Sequence, residues 1–156
     1  MILPSKHKIV KKKPVKKTKF AKPHPQYGTS KLEEDFAHMF LDKLNVKYEY
    51  QFEAKDIGRF YDFYLPESNL LIEIDGDYWH GNPDKYQDNE LRWHQRHAQR
   101  VDEYKNKWAL LHGIPIIRVW ESDIRKKPNE VMKFLKERLY LRNKEVLIKE
   151  NKRKRH

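Results

Sequence analysis

The run Leu70–Asp75 (LLIEID) sets two carboxylates inside an aliphatic stretch, and no fold can bury it without giving Glu73 and Asp75 a partner. Strands of a small domain ordinarily alternate apolar and polar residues, and carboxylates seldom enter buried strand middles unless paired or ligated. The preceding β-like run Arg59–Leu65 (RFYDFYL) repeats the anomaly with Asp62 at its centre, and the string GDYWHGN at 76–82 follows with Trp79 and His80. Asp62, Glu73, Asp75 and His80 are therefore the residues this fold must explain.

In an extended strand Glu73 and Asp75 point the same way about 7 Å apart, while Ile72 and Ile74 face the opposite layer. The short Pro66-Glu67-Ser68-Asn69 link makes the strand of Asp62 an antiparallel neighbour, so three carboxylates converge near one sheet face. Such a cluster repels itself or takes up protons unless a divalent cation or an arginine compensates it. Magnesium suits hard oxygen ligands and phosphate substrates. Plainer roles exist: Asp62 paired with Arg59 or a loop amide, Glu73 and Asp75 as edge-strand charges, His80 as a surface histidine. The position of His80 five residues past Asp75, across Gly76 and beside Trp79, makes it a candidate base.

The net charge of +11 is unevenly spread over the 156 residues: residues 1–26 carry nine lysines and no acid, and residues 149–156 five basic residues and one acid. The body, 27–148, is left near neutral, which suggests a folded domain between a basic arm (1–26) and a basic C-terminal tail (149–156) that grip a polyanion, DNA or RNA. A solubilising tail or a localisation signal is the simpler reading of the lysines alone. Lys11, Lys12, Lys13, Lys16 and Lys17 are the arm's candidate phosphate contacts. Pro4, Pro14, Pro23 and Pro25, with no apolar periodicity, give that arm a disordered or extended character. The chain has no cysteine, which excludes disulfides and thiolate metal sites, and it shows neither an apolar run of about 20 residues nor a secretory leader. An intracellular protein, cytoplasmic or nucleoid-associated, is expected.

Ser30 and Glu33 have capping-box spacing, and Leu32, Phe36, Phe40 and Leu44 follow on one face, predicting a helix over about 30–44. Strands are expected at 46–52, 59–65 and 70–75 as a three-strand meander. From 84 to 112 one long helix, or two broken near the histidines, would bury a stripe of Leu91, Ala98, Val101, Trp108 and Leu111. Residues 114–120 (IPIIRVW) read as a strand covered on both faces, returning beside the acidic strand, and a last helix spans about 129–142. The order αβββαβα gives an α/β fold with a central mixed sheet flanked by helices.

These residues resemble a known family. DFYLPE, the D-G-x-Y-W-H string and G-I-P-I-I-R-V-W-E, within about 29–123, are similar to the very-short-patch repair (Vsr) nucleases and to homing endonucleases with an EDxHD pattern. Both are variants of the PD-(D/E)xK architecture, so the resemblance implies a restriction-endonuclease-like core. It also implies Glu33, Asp62, His80 and Asp102 as the catalytic set, Asp102 matching on its distance before Gly113 and Trp120. Asp62 and the backbone carbonyl of Ile74 would hold Mg2+, with Mn2+ a possible substitute, and His80 would activate water. Tyr78 and Trp79 would wedge between bases, although core packing is the ordinary use of a tryptophan. The spacing of Asp62, Glu73 and Asp75 is also similar to the general D-x(n)-E-x-K pattern with Asp75 where lysine is usual, leaving either Glu73 or Asp75 to reach the ion. The repair enzyme's structural zinc is not expected here, and Asp75 stands where that enzyme has a second histidine. Both departures favour the homing branch.

The function expected is a Mg2+-dependent endonuclease acting on double-stranded DNA, with no membrane partner. Arg92, Arg96 and Arg100, spaced at i+4, form a candidate phosphate-tracking stripe, or else a solvated face. The rival classes are a non-catalytic basic nucleic-acid-binding protein and a structure-selective, repair-type or RNA-directed nuclease using the same residues. Glu33 has a second explanation of its own, the capping box.

Overall fold

The computed structural model describes residues 31–155. Helix α1 (Lys31–Phe36) widens into a π-helical turn, Ala37–Leu41, and the two bury Phe36, Ala37, Phe40 and Leu41. The expected helix over 30–44 is thus present, although Ser30 of the expected capping box lies outside the described residues.

Three strands follow as the expected meander: β1 (Glu49–Ala54), β2 (Arg59–Leu65) and β3 (Leu70–Asp75). Gly58 and Asn69 close the two connections with φ of 61° and 46°, left-handed values that glycine and asparagine tolerate best. A short helix α2 (Asp77–His80) leaves the end of β3, a 3-10 turn spans Asp88–Glu90, and α3 runs Trp93–Leu111. Strand β4 (Ile116–Trp120), helix α4 (Glu121–Lys126) and the long α5 (Pro128–Lys154) complete the order. The sheet is mixed, in the order β1-β2-β3-β4, with the first two pairings antiparallel and β3–β4 parallel. An α/β architecture with a four-stranded mixed sheet flanked by helices is the result. No described helix is long and apolar enough to cross a membrane.

Two cores sit on opposite faces of the sheet. On one, Phe63, Ile72, Ile74 and Val119 pack with Phe36 and Phe40 from the first helix and with Leu135 and Leu139 of α5. On the other, Tyr61 and Leu71 meet Trp108 and Ala109 of α3. Tyr61 and Phe63 are two residues apart yet lie in different cores, as do their partners Phe52 and Tyr50. Strand alternation is therefore broken at Asp62 and at Gln51, and Gln51 carries a positive φ of 54°.

Several expected boundaries move for physical reasons. Strand β4 is half-buried with only Val119 fully inside, instead of being covered on both faces, because it is the last strand of the sheet; the inner strand β3 is buried at every position. Helix α3 begins later than residue 84, since Asn82, Gln87 and Glu90 hold 82–91 in turns. Of the expected stripe Leu91 and Trp108 are buried and Ala98 and Val101 half-buried, but Leu111 is 74 % exposed, and the buried face of the helix also takes in Gln95, Lys105 and Ala109. The sheet face beneath α3 carries carboxylates, which select a lysine over a leucine. Helix α4 is an additional element. Helix α5 starts on Pro128, a favourable first-turn position, and continues well past 142, so the basic residues 149–154 lie on a helix.

Candidate active site

Asp62 sits where β2 and β3 part. The regular pairing of these strands ends at Phe63 opposite Ile72, and beyond it the N–H of Ile74 donates to Oδ2 of Asp62 at 2.7 Å. A side chain thus takes the place of a strand carbonyl. Burial, the negative charges of Glu73 and Glu33, and a hydrogen bond with Glu73 raise the Asp62 carboxyl well above the usual carboxylate range, and the Ile74 amide offsets this only in part.

The neighbours of Asp62 arrive from three elements. Glu33 of α1 reaches over β1, where Tyr50 Oη donates to its Oε2 at 2.5 Å and Gln51 Nε2 at 3.3 Å. The strained Gln51 is thus among the residues that hold Glu33. Burial and the Glu33 contact push the Tyr50 hydroxyl far above its ordinary value. Glu73 is buried on β3 and forms an ion pair with Nζ of Lys105, a buried α3 residue whose ammonium also lies 4.8 Å from the centre of the Tyr61 ring.

Two residues further along β3 a second group begins. Oδ1 and Oδ2 of Asp75 accept Nη1 of Arg118 at 2.9 and 3.2 Å, and the same nitrogen lies 3.3 Å from Asp102 Oδ1. His80 ends α2 with Nδ1 at 2.7 Å from Asp102 Oδ2 and 3.7 Å from Asp75 Oδ1. An ionised carboxylate only accepts, so Nδ1 carries the proton and Nε2 keeps the basic lone pair. Burial would lower His80, but the hydrogen bond to Asp102 and the charges of Asp75 and Asp102 outweigh it and raise the imidazole above its ordinary value. Burial likewise works against Asp102, yet His80 and Arg118 hold it below the usual carboxylate range. Asp75 stays above that range because burial outweighs Arg118 and His80.

Asp75, His80 and Asp102 offer ligand atoms within 4.8 Å of one another, a spacing that can hold a metal ion in principle. Asp62 of β2 and Glu73 of β3 form a separate carboxylate pair.

The ends of β3 and α2 are pinned by Asp77. Its carboxylate accepts Asn82 Nδ2 at 2.8 Å, Ser122 Oγ at 3.1 Å and Lys85 Nζ at 2.5 Å, which ties the W-H segment to α4. Gln95 adds a 2.6 Å bond from Nε2 to the carbonyl of Tyr78. Gly81 adopts φ 61°, and a Cβ there would meet Leu91 Cδ2 at 2.6 Å, so the sharp exit after His80 requires glycine.

Of the residues singled out in the sequence, Glu33, Asp62 and Glu73 fall in one group, and Asp75, His80 and Asp102 in its neighbour. The backbone of Ile74 lies between them, contacting Asp62 through its amide. Tyr78 and Trp79 are exposed, Trp79 at 64 %, which excludes core packing for that ring. Arg92, Arg96 and Arg100 are exposed along the start of α3, Arg96 also donating to the carbonyl of Asp88 at 2.7 Å. Lys11, Lys12, Lys13, Lys16 and Lys17 lie outside the described residues. Sequence reasoning missed Lys105, Arg118 and Trp93, the last 79 % exposed with His94 between it and Trp79. Lys105 was findable at i+3 from Asp102 on one helix face, and Arg118 as the single charge in an aliphatic strand.

No protein-family model, curated protein or solved structure matches the chain.

Proposed function

We propose that the chain is a magnesium-dependent endonuclease acting on duplex DNA, with a restriction-endonuclease-like core of the Vsr and EDxHD type. The observation that carries this reading is the pair of carboxylates Asp62 and Glu73 where β2 and β3 part, two residues along β3 from the group in which Asp102 holds His80 in a basic tautomer. Among the described residues Glu73 pairs with Lys105 while Asp62 beside it meets the Ile74 amide, and two carboxylates with the nearby Ile74 backbone and water are an ordinary magnesium environment.

Asp62 and Glu73 are the residues that would hold the ion. Bound there, magnesium supplies charge stabilisation to the scissile phosphate and its leaving 3′ oxygen. His80 Nε2 takes the proton of the attacking water, and Asp102 holds the ring and offsets the imidazolium charge as it forms. Lys105 keeps Glu73 in place, and Glu33, fixed by Tyr50 and Gln51, adds negative field at Asp62. Tyr78, Trp79 and the arginines at the start of α3 offer stacking and phosphate contacts on one edge.

The test is incubation of the full chain with a pool of duplex DNA and Mg2+, with cut ends mapped. Cleavage that disappears in Asp62→Asn and His80→Ala while DNA binding persists supports the reading. Binding without cleavage on duplex, branched and RNA substrates alike would establish the non-catalytic alternative.

A further inference from the structure

The Asp75, His80 and Asp102 ligand atoms are close enough to share an ion, yet their space already contains a cation. Nη1 of Arg118 lies 2.9 and 3.2 Å from the two oxygens of Asp75 and 3.3 Å from Oδ1 of Asp102. The rest of the guanidinium is tied down as well, with Nε and Nη2 at 3.2 and 3.1 Å from Oδ1 of Asn106. A dication would need the same carboxylate oxygens at about 2.0–2.6 Å, which is room that Nη1 takes. Guanidinium does not deprotonate in proteins, so no change of pH vacates the position. Pushing it out would strand a half-buried charge between α3 and the sheet.

The charge balance separates the two groups in the same way. At the trio, Asp75 and Asp102 face Arg118 and a histidine; in the other group Glu73 pairs with Lys105 of α3.

We propose that Arg118 takes the place of a divalent cation at Asp75, His80 and Asp102, so that removing it creates an ion site that the native chain lacks. The proposal rests on the functional reading above only for the separate ion assigned to Asp62 and Glu73; the trio is argued from its own geometry. Arg118 acts as a positioning residue, holding Asp102 against His80 without an ion.

Binding of Mn2+ alone to the full chain, without DNA, tests this through the loss of the free-ion electron paramagnetic resonance signal, with circular dichroism reporting the fold. The native chain is expected to bind one ion and Asp75→Asn still one. Arg118→Met should bind one more than the native chain, and Arg118→Met combined with Asp75→Asn should return to the native count. Loss of the native ion in Asp75→Asn, a native count of two, or a folded Arg118→Met with no added ion overturns the proposal. If Arg118→Met does not fold, the native and Asp75→Asn counts decide it. A native count of zero would sink the ion at Asp62, while the gain in Arg118→Met would still report on the trio.

Discussion

Nδ1 of His80 lies 2.7 Å from Oδ2 of Asp102, joining the end of α2 to the middle of α3 across 22 residues of sequence. The contact fixes the tautomer and raises the imidazole, while Asp102 is held low. For the base, catalysis should rise with pH through the raised His80 value. Asp102→Asn removes the charge and lets an amide N–H face Nδ1. We expect its acid limb to move to lower pH and its best rate to fall about 100-fold or more. For stability, the raised histidine contributes fully below its unfolded value and is lost as pH rises through the folded one. The lowered Asp102 contributes above its unfolded value and is lost as pH falls through the folded one. The pair therefore stabilises most between those limits, around pH 5–6. A stability profile that keeps its native shape in Asp102→Asn would refute this coupling.

Asp62 carries the opposite sign. Its folded value is raised, so the folded state binds a proton more readily than the unfolded chain and metal-free stability rises as pH falls through that value toward the unfolded one. Asn at 62 keeps an oxygen to accept the Ile74 amide and removes the charge that Glu73 and Glu33 oppose. Metal-free Asp62→Asn at pH 8 should therefore melt above the native chain, with cleavage abolished. Added Mg2+ should raise Tm of the native chain alone. Thermal melts with and without Mg2+ check both halves; a variant that melts lower at every pH and still responds to Mg2+ would contradict them.

How much of this was legible in the sequence depends on which force fixed each residue. Strands β2 and β3 fall where their patterns predicted, because turn residues bound them and the apolar positions leave one pairing register. Asp62, Glu73 and Asp75 were legible as anomalies within those strands. Lys105 and Arg118 were missed, although their spacing marks them, because a periodicity search ranks apolar positions and these cations are held inward by charges on other elements. The same bias placed Leu111 inside, where the helix instead turns Lys105 toward the sheet and Gln95 toward α2. The extension of α5 past residue 142 was hidden for another reason: its second half buries little and gives no apolar period.

Trp79 and Trp93 stand largely exposed, with the His94 ring 5.6 and 5.9 Å from them. Neither ring fills a core, so Trp79→Ala and Trp93→Ala should each change stability by no more than about 0.5 kcal/mol. If bases stack there, each substitution weakens DNA binding by about 1–3 kcal/mol, roughly 5- to 150-fold, with little change in salt slope. Paired thermal melts and fluorescence-anisotropy titrations separate the two effects. Large destabilisation with unchanged affinity would make the aromatics structural.

The charge at the two ends should act through phosphates and not through the site. Residues 1–26 supply nine lysines, and the last turns of α5 supply Lys152, Arg153 and Lys154 on an exposed helix. Each phosphate neutralised adds about −0.9 to the slope of log binding constant against log salt, so six arm lysines on DNA account for about −5. Deleting residues 1–26 should therefore flatten the slope by about that amount and weaken binding equally for all sequences. The fold of 31–155 and any cut position should stay unchanged, because Asp62, His80 and the aromatics lie within that span. Binding titrations between 50 and 200 mM salt, with the native and shortened chains on two unrelated duplexes, measure this. An unchanged slope would remove the arm from the interface, and a sequence-dependent loss would give it a role in readout.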